Sequence, residues 1–430
     1  MTDQKVPSWL RSILVVSGLL VTAVISSVIA IATFFLLARV TNSILLMAVC
    51  AALVLTLSTA GNAWLLTRGL RASHPQRFVV WLTSGVFLLV SGLAALFVFR
   101  PLPYQQPQPR PATQFWQLSN GTSIAYIRVS GIGVPKETPV IFLQGGPGAP
   151  IFDSDITQYS QLAQDGFTVY LYDPVGTGFS SRLSDVRQYT MQRHVSDLEA
   201  IREQIGAEQV VLLGSSWGST LAASYTAFYP NRVAKIIFSG PGALWDQDRF
   251  TFDYSRTAAV DVPREDRDSQ PPEPRILVAL WLLQINPNAA QNLVSDRELI
   301  THLDFLRGAP PGGGFCRGNA PDSASSVSEA PPINLYANIP AEASLQGEND
   351  PRPLLQGNAT PVLILRGECD YVPWEAMYEY KQMFPNATLL IIPNTGHNLE
   401  KAELIMQATR AFLGNQALPF EPYMRQDPPQ

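Results

Sequence analysis

The chain has 430 residues, of which 46% are hydrophobic and only 15% charged, with a formal net charge of −5. The negative balance argues against a nucleic-acid partner, and with no metal-ligand cluster or phosphate loop in the sequence, neither a metal nor any other cofactor is expected. Taken in chain order, the first hundred residues carry most of the apolar excess. Stretches 13–37, 44–66 and 78–99 contain no charged residue. Each is long enough to cross a hydrocarbon core of roughly 30 Å at about 1.5 Å per residue. Residues 1–100 therefore read as a membrane region with three transmembrane helices, because a cleaved signal peptide would show one short apolar region and not three long ones. With no ionisable group inside a span, intramembrane catalysis has little support. Small residues such as Gly18, Ser26, Gly85 and Gly92 read as helix-packing positions. Lys5, Arg11, Arg68, Arg71 and Arg77 fall on one side and Arg39, Arg100 and Arg110 on the other. The positive-inside rule then puts the N-terminus in the cytoplasm, the lipid bilayer as partner of all three spans, and the rest of the chain on the exoplasmic side of a cell membrane. Residues 101–112 read as a Pro-rich linker, an extended spacer of at most roughly 35 Å.

Beyond the linker, short apolar runs alternate with amphipathic stretches, the pattern of right-handed crossovers between parallel strands. Strands are expected at 115–118, 123–129, 140–143, 169–172, 210–213, 233–238, 362–365 and 389–392. The alternation breaks between 243 and 358, which reads as an inserted cap or lid with helical stretches near 276–284 and 295–307 and a Pro/Gly/Ser-rich loop at 309–332. The expected layout is thus a core of 113–242 and 359–415, a cap of 243–358 and a C-terminal tail of 416–430.

The chemistry is carried by the turns that end these strands. Gly214-Ser215-Ser216-Trp217-Gly218 follows the strand at 210–213 and opens a helical stretch, which is the G-x-S-x-G elbow that pushes a serine hydroxyl out above a sheet. Small residues there could equally permit close packing alone, so the partners decide. An activated serine needs an acid and a histidine, and α/β-hydrolases carry them downstream in that order. Asp370, in Gly367-Glu-Cys-Asp370, follows the strand at 362–365, and His397, in Asn394-Thr-Gly-His397, follows the strand at 389–392. The other histidines fit less well: His74 lies among arginines, His194 in an amphipathic helix and His302 in an irregular region, each read as solvated or capping. In this reading His397 takes the proton from Ser216 and returns it to the leaving group, while Asp370 fixes the imidazole tautomer. The amide after the serine, that of Trp217, faces a developing oxyanion. The glycine turn Gln144-Gly-Gly-Pro-Gly148 offers a second donor at Gly146. Asp173-Pro-Val-Gly-Thr-Gly-Phe-Ser180 is a third strand-to-loop turn, expected to support the site.

These residues resemble the proline iminopeptidases (prolyl aminopeptidases) among serine α/β-hydrolases, whose usual motifs are H-G-G-P-G, D-Q-R-G-x-G-x-S, G-G-S-W-G-S, G-x-x-D and a final G-H. Here their places are taken in the same order by Gln144–Gly148, Asp173–Ser180, Gly214–Ser219, Gly367–Asp370 and Gly396-His397. The likeness covers roughly residues 113 to 415 and is weakest in the insertion. It implies an α/β-hydrolase fold, a mostly parallel sheet flanked by helices with a helical cap. It also implies Ser216 as nucleophile, Asp370 and His397 as its partners, and Gly146 with Trp217 as oxyanion amides. The departures are Gln144 for the family histidine and Pro174-Val175 for Gln-Arg. The aminopeptidases hold a substrate amino group with acidic cap residues, for which Asp246, Asp248, Asp253, Glu265, Asp266, Asp268 and Glu273 are candidates, none preferred.

The activity expected is that of a membrane-anchored serine hydrolase releasing N-terminal residues from small peptides. The alternatives are a carboxylesterase- or lipase-like enzyme acting on a small ester, and a non-catalytic binding module on the same fold. Cys50 falls in a span, whereas Cys316 in the cap and Cys369 beside Asp370 either pair in an oxidising compartment or stay as two thiols.

Overall fold

Long uncharged helices and short aliphatic strands demand different surroundings, and the chain separates them. In the computed structural model the described residues are 8–70, 74–104, 106–253, 255, 257–258, 272–303, 315–316, 333–346, 350–399 and 401–429. They fall into two compact units, one of residues 1–104 with 271–302 and one of residues 105–270 with 303–430.

The first unit begins with α1 (Ser8–Leu37), α2 (Ile44–Leu70) and α3 (Pro75–Ala94), the last extended by a π-helical turn at Ala95–Phe99. Ala30, Leu55 and Val86 form their shared core. Several hydroxyls that interrupt the apolar sequence are satisfied within their own helices: Ser27 donates to the Ala23 carbonyl and Thr56 to that of Ala52, both at 2.8 Å, whereas the buried hydroxyls of Thr59 and Thr83 have no partner. Gly18 leaves room for Leu66 of the neighbouring helix, where a Cβ would collide with the leucine side chain. Three helical segments, Val15–Leu37, Ile44–Arg68 and Pro75–Phe99, are long and apolar enough to cross a bilayer.

The second unit is built on an eight-stranded sheet. Its strands are β1 (Gln114–Gln117), β2 (Ser123–Val129), β3 (Val140–Leu143), β4 (Val169–Tyr172), β5 (Val210–Ser215) and β6 (Val233–Ser239), joined later by β9 (Val362–Gly367) and β10 (Ala387–Ile392). Between β6 and β9 come two residue pairs, β7 (Thr257–Ala258) and β8 (Phe315–Cys316), which form a separate antiparallel ribbon. The main sheet runs β1-β2-β4-β3-β5-β6-β9-β10. β1, β2 and β4 pair antiparallel, and every pairing from β4 across to β10 is parallel. All residues of β3, β4 and β9 are buried, as strands covered by helices on both faces must be. The covering helices are α4 (Asp153–Tyr159), α5 (Met191–Ile205), α6 (Trp217–Phe228), α12 (Trp374–Met383) and α13 (Ala402–Leu413).

All eight expected strands are present, with ends within two residues of expectation. The inserted segment holds more than the expected two helices. α7 (Pro274–Ile285), α8 (Pro287–Leu293) and α9 (Asp296–Thr301) fall in the first unit, while α10 (Leu335–Ala343) and α11 (Arg352–Leu355) fall in the second. The expected loop at 309–332 lies outside the described residues apart from Phe315 and Cys316. Cys316 is disulfide-bonded to Cys369 with their Cα atoms 5.5 Å apart, which ties the β7–β8 ribbon to the loop after β9.

The topology fixes where chemistry can occur. β3 lies between β4 and β5, so the chain leaves β3 toward one edge and crosses back to build the other half. At such a switch point the loops after neighbouring strands diverge and leave a crevice beyond their C-terminal ends.

Candidate active site

Ser216 sits between the end of β5 and the first turn of α6, with φ 51° and ψ −120°. A side-chain-bearing residue held at positive φ is strained by roughly 1–3 kcal/mol and persists only where its surroundings over-determine it. Here the Ser216 amide donates to the Ser239 carbonyl at 3.0 Å, and its carbonyl accepts from the amides of Ser219 at 2.9 Å and Gly242 at 3.2 Å. The flanking glycines are required sterically. A Cβ on Gly214 would meet the Gly218 carbonyl, and one on Gly218 would meet that of Leu143. The bland packing reading and the elbow reading of these glycines are therefore the same fact, since the packing is what allows the turn to be sharp.

Asp370 follows β9 and His397 follows β10, adjacent parallel strands whose C-terminal ends lie side by side. His397 Nδ1 is 2.9 Å from Asp370 Oδ1, and His397 Nε2 is 2.9 Å from Ser216 Oγ. With Nδ1–H donating to the carboxylate, Nε2 is left with a lone pair for the serine hydroxyl. The Asp370 side chain is fully buried, and Oδ1 also accepts from the Val372 amide at 2.9 Å. Burial alone pushes that carboxyl up, but the charge and hydrogen bond of His397, the Arg366 guanidinium and the Val372 amide together hold it below the usual carboxylate value. The Tyr371 ring lies 4.6 Å from the imidazole and fixes its outer side.

Gly146 and Trp217 both line the cavity that Ser216 opens into. The Gly145 amide is already taken by the Gln144 side-chain carbonyl at 2.7 Å. Gln144 Nε2 in turn donates to the Pro150 carbonyl at 3.1 Å and to Asp155 Oδ2 at 2.5 Å, so a neutral amide braces the turn. Burial pushes the Asp155 carboxyl up to about 6, against the opposing pull of the Phe152 amide, Gln144 and Arg110. The loop after β4 supports the same region: Asp173 accepts from the amides of Ile151 at 3.0 Å and Phe179 at 2.9 Å.

The cavity measures about 520 Å³. Gly146, Ser216 and Trp217 line it, and the aromatic side chains of Phe250, Phe252 and Tyr371 contribute to its walls. Gln247, Asp248 and Glu342 supply polar lining. Burial pushes the Glu342 carboxyl up and the nearby Asp248 adds to that, while hydrogen bonds from Asn338 and Gln247 pull it down.

Of the acidic candidates read from the sequence, Asp248 lines the cavity and Asp246 and Asp253 do not. Glu273 precedes α7 as its N-cap residue in the other unit, and Glu265, Asp266 and Asp268 lie outside the described residues. Glu342 was not among those candidates. Its only sequence signal is its place on α10, which opens on an Asn334 cap whose side-chain oxygen accepts from the Tyr336 amide at 3.0 Å. His194 differs from its expected solvated role: it is buried on α5 with its ring 5.0 Å from that of Trp217. His302 Nε2 lies 2.9 Å from the Pro103 carbonyl, within the first unit. Among the described residues, no cluster of three or more potential metal ligands is present.

A proline iminopeptidase of Heyndrickxia coagulans is 41% identical over 115 residues, which are 26% of this chain, and the chain spans only 39% of that protein's length. A probable proline iminopeptidase of Leptolyngbya boryana is 25% identical over 302 residues, covering 65% of this chain and 88% of the relative. Among solved structures, a proline iminopeptidase of Mycobacterium smegmatis aligns with 70% of this chain and 98% of its own at 22% identity and a TM-score of 0.45. Residues 138–399, the stretch in which β3, β5, β9 and β10 bring Ser216, Asp370 and His397 together, match the alpha/beta hydrolase fold family, and the chain belongs to it.

Proposed function

We propose that the chain is a membrane-anchored serine hydrolase that releases N-terminal residues from short peptides, in the manner of a proline iminopeptidase. The observation that carries this reading is the unbroken relay of 2.9 Å contacts from Asp370 through His397 to Ser216 at the mouth of a cavity. Ser216 Oγ attacks the substrate carbonyl as its proton passes to His397 Nε2, and the imidazolium that forms is stabilised by Asp370. The carbonyl oxygen gathers charge against the amides of Gly146 and Trp217. His397 then returns the proton to the departing amine, leaving an acyl-serine that water cleaves with His397 again as base.

The aminopeptidase choice over the esterase choice rests on Glu342 and Asp248 in the cavity lining. Glu342 is half-buried, which pushes its carboxyl up, and a substrate ammonium beside it favours the charged form, while Asp248, although exposed, adds charge of the same sign. Membrane anchoring rests on the three apolar helices, and an exoplasmic site on the asymmetry of arginines and lysines together with the Cys316–Cys369 disulfide, a bond that persists in oxidising compartments.

The test is a comparison of proline and alanine arylamides, free or N-blocked, with acyl esters on the detergent-solubilised chain. The reading expects free amines to be preferred and Glu342→Gln to raise KM for them about tenfold, about 1.4 kcal/mol, with kcat for esters unchanged. A preference for blocked substrates or esters would replace it with the esterase reading. Absence of fluorophosphonate labelling at Ser216 would leave the binding-module reading.

A further inference from the structure

α7 is apolar on every side, yet only one of its faces is covered. Arg275, Ile276, Ala279, Leu282 and Leu283 are buried, at the three- and four-residue intervals of a packed helical stripe. The opposite face exposes Leu277 at 38%, Trp281 at 61% and Ile285 at 38%, spaced four residues apart along one line. Apart from these, only Pro274 and Gln284 are exposed on this helix, so the bare face carries no charge. A free surface facing water would present polar groups along this line.

Both ends of α7 are fastened to one end of the three-helix bundle. At its start, Arg275 donates to the Val98 carbonyl at 2.7 Å, on the final turn of the third apolar segment, and pairs with Glu298 at 2.6 Å. Glu298 also accepts from the Leu102 amide at 2.8 Å. Past its end, Asn286 donates to the Ala38 carbonyl at 2.7 Å and to Asn42 Oδ1 at 2.8 Å, in the turn that leaves α1. The helix, about 18 Å long at 1.5 Å per residue, therefore lies across the exits of the first and third apolar segments. Its Trp281 ring is 5.8 Å from that of Phe35, in the last turn of the first of them. The exposed line of α7 thus adjoins the exposed apolar end of α1, where Leu36 is 60% exposed.

We infer that α7 is an interfacial membrane helix, with Leu277, Trp281 and Ile285 immersed at the headgroup–acyl boundary of the leaflet where the first span ends. An amphipathic indole suits that depth, and the hydrogen bonds of Arg275 and Asn286 hold the two ends of the helix where the spans end. The inserted segment of the hydrolase is on this account a fourth point of attachment to lipid, and its occupant is the bilayer, not a protein partner. The inference rests on the reading of the three long helices as membrane spans.

The test uses the full chain with Cys50→Ser in phosphatidylcholine nanodiscs, carrying an environment-sensitive NBD label at single cysteines replacing Leu277, Trp281, Ile285, Leu57 or Val134. Leu57 is the control for a span, and Val134, 85% exposed in the hydrolase unit, the control for water. Fluorophosphonate labelling shows that each variant is folded. Lipids doxyl-labelled near the headgroup are expected to quench positions 277, 281 and 285 about twofold or more, deeper-labelled lipids to quench 57 more strongly, and neither to quench 134. Quenching at 57 with positions 277, 281 and 285 behaving like 134 would overturn the inference alone. So would shielding of those three from aqueous iodide without doxyl quenching, since a protein would then be covering them. Loss of quenching at 57 as well would overturn the membrane reading together with it.

Discussion

The two units of this chain solve opposite solvation problems. In the hydrolase unit, Phe142, Leu213, Phe238 and Ile364 are wholly buried, and charged groups such as Asp197 and Arg202 are buried only with partners, Arg193 and Glu199. In the helical unit, Leu20, Val24, Leu57 and Trp81 are more than half exposed and the covered core is small. An apolar exterior of that extent is unsuited to water and suited to hydrocarbon. The comparison teaches that exposure has no fixed cost, because an exposed leucine that is a liability in water is compatible with hydrocarbon. Among the described residues, the second unit is the one that packs carbonyls, amides and a buried carboxylate around a strained serine.

The sharpest way to break this division is at the strained serine. Ser216→Ala is expected to lower kcat by more than about 10⁴-fold and to abolish fluorophosphonate labelling, and Asp370→Asn to lower it about 10⁴-fold by presenting the wrong imidazole tautomer. Neither change should alter how the chain partitions into membranes. Residual turnover above about one hundredth in Ser216→Ala would place the nucleophile elsewhere.

Next in size is the disulfide. Cys316 and Cys369 are separated by 53 residues, and in the chain-entropy account closing a loop of that length stabilises the folded state by about 4 kcal/mol. Double substitution to serine, or reduction, should lower the denaturation midpoint of the hydrolase unit while leaving the helicity of the spans unchanged, since Cys50 in α2 is unpaired. Mass spectrometry of unreduced peptides finding both thiols free would remove the bond and its support for an exoplasmic site.

The two exteriors can then be compared directly. Leu57→Lys, near the middle of a span, should raise the cost of membrane insertion by about 3 kcal/mol, read in a translocon insertion assay. Val134→Lys, on a residue still more exposed, should change stability by less than about 0.5 kcal/mol. Equal tolerance at both positions would mean that α2 does not face lipid.

Much of this was legible in the sequence because it is encoded locally. β2, β3 and β4 are found at the residues expected, since a run of buried aliphatics bounded by turn residues leaves little freedom. That Ser216, Asp370 and His397 would meet was legible because each follows a strand end, in the chain order serine, acid, histidine. What escaped is set by distance in the chain. α7 is apolar all round, so periodicity says only that it is covered, and not that Val98 and Ala38 hold its ends. Glu342 is one acid among 35 acidic residues, and nothing near it in the chain tells which of them shares a cavity with Ser216. β7 and β8 are two residues each, too short for any alternation to register.

His194 gives the smallest and most specific test, because it is a titratable group enclosed by the unit that must keep water out. Its Nε2 is buried without a hydrogen-bond partner, its ring lies against Trp217, and burial, with the Arg193 charge beside it, pushes its pKa down to about 4. The unfolded chain takes up this proton near the ordinary value of about 6.5, so between those two values the unfolded state binds more protons than the folded one. Stability is then present in full above pH 6.5 and lost as pH falls toward 4. Between pH 7 and 5 the loss from this residue alone is about 2 kcal/mol. Asp155 works in the opposite sense, since burial raises its pKa to about 6 and so favours the folded state as the pH falls. The measurement is therefore a difference: denaturant midpoints at pH 7 and pH 5 for the natural chain and for His194→Gln, in detergent. The variant should lose less on acidification than the natural chain, because an amide has no proton to gain. An equal loss in both would mean that this imidazole is hydrated or already paired, and that the wall behind Trp217 is open to solvent.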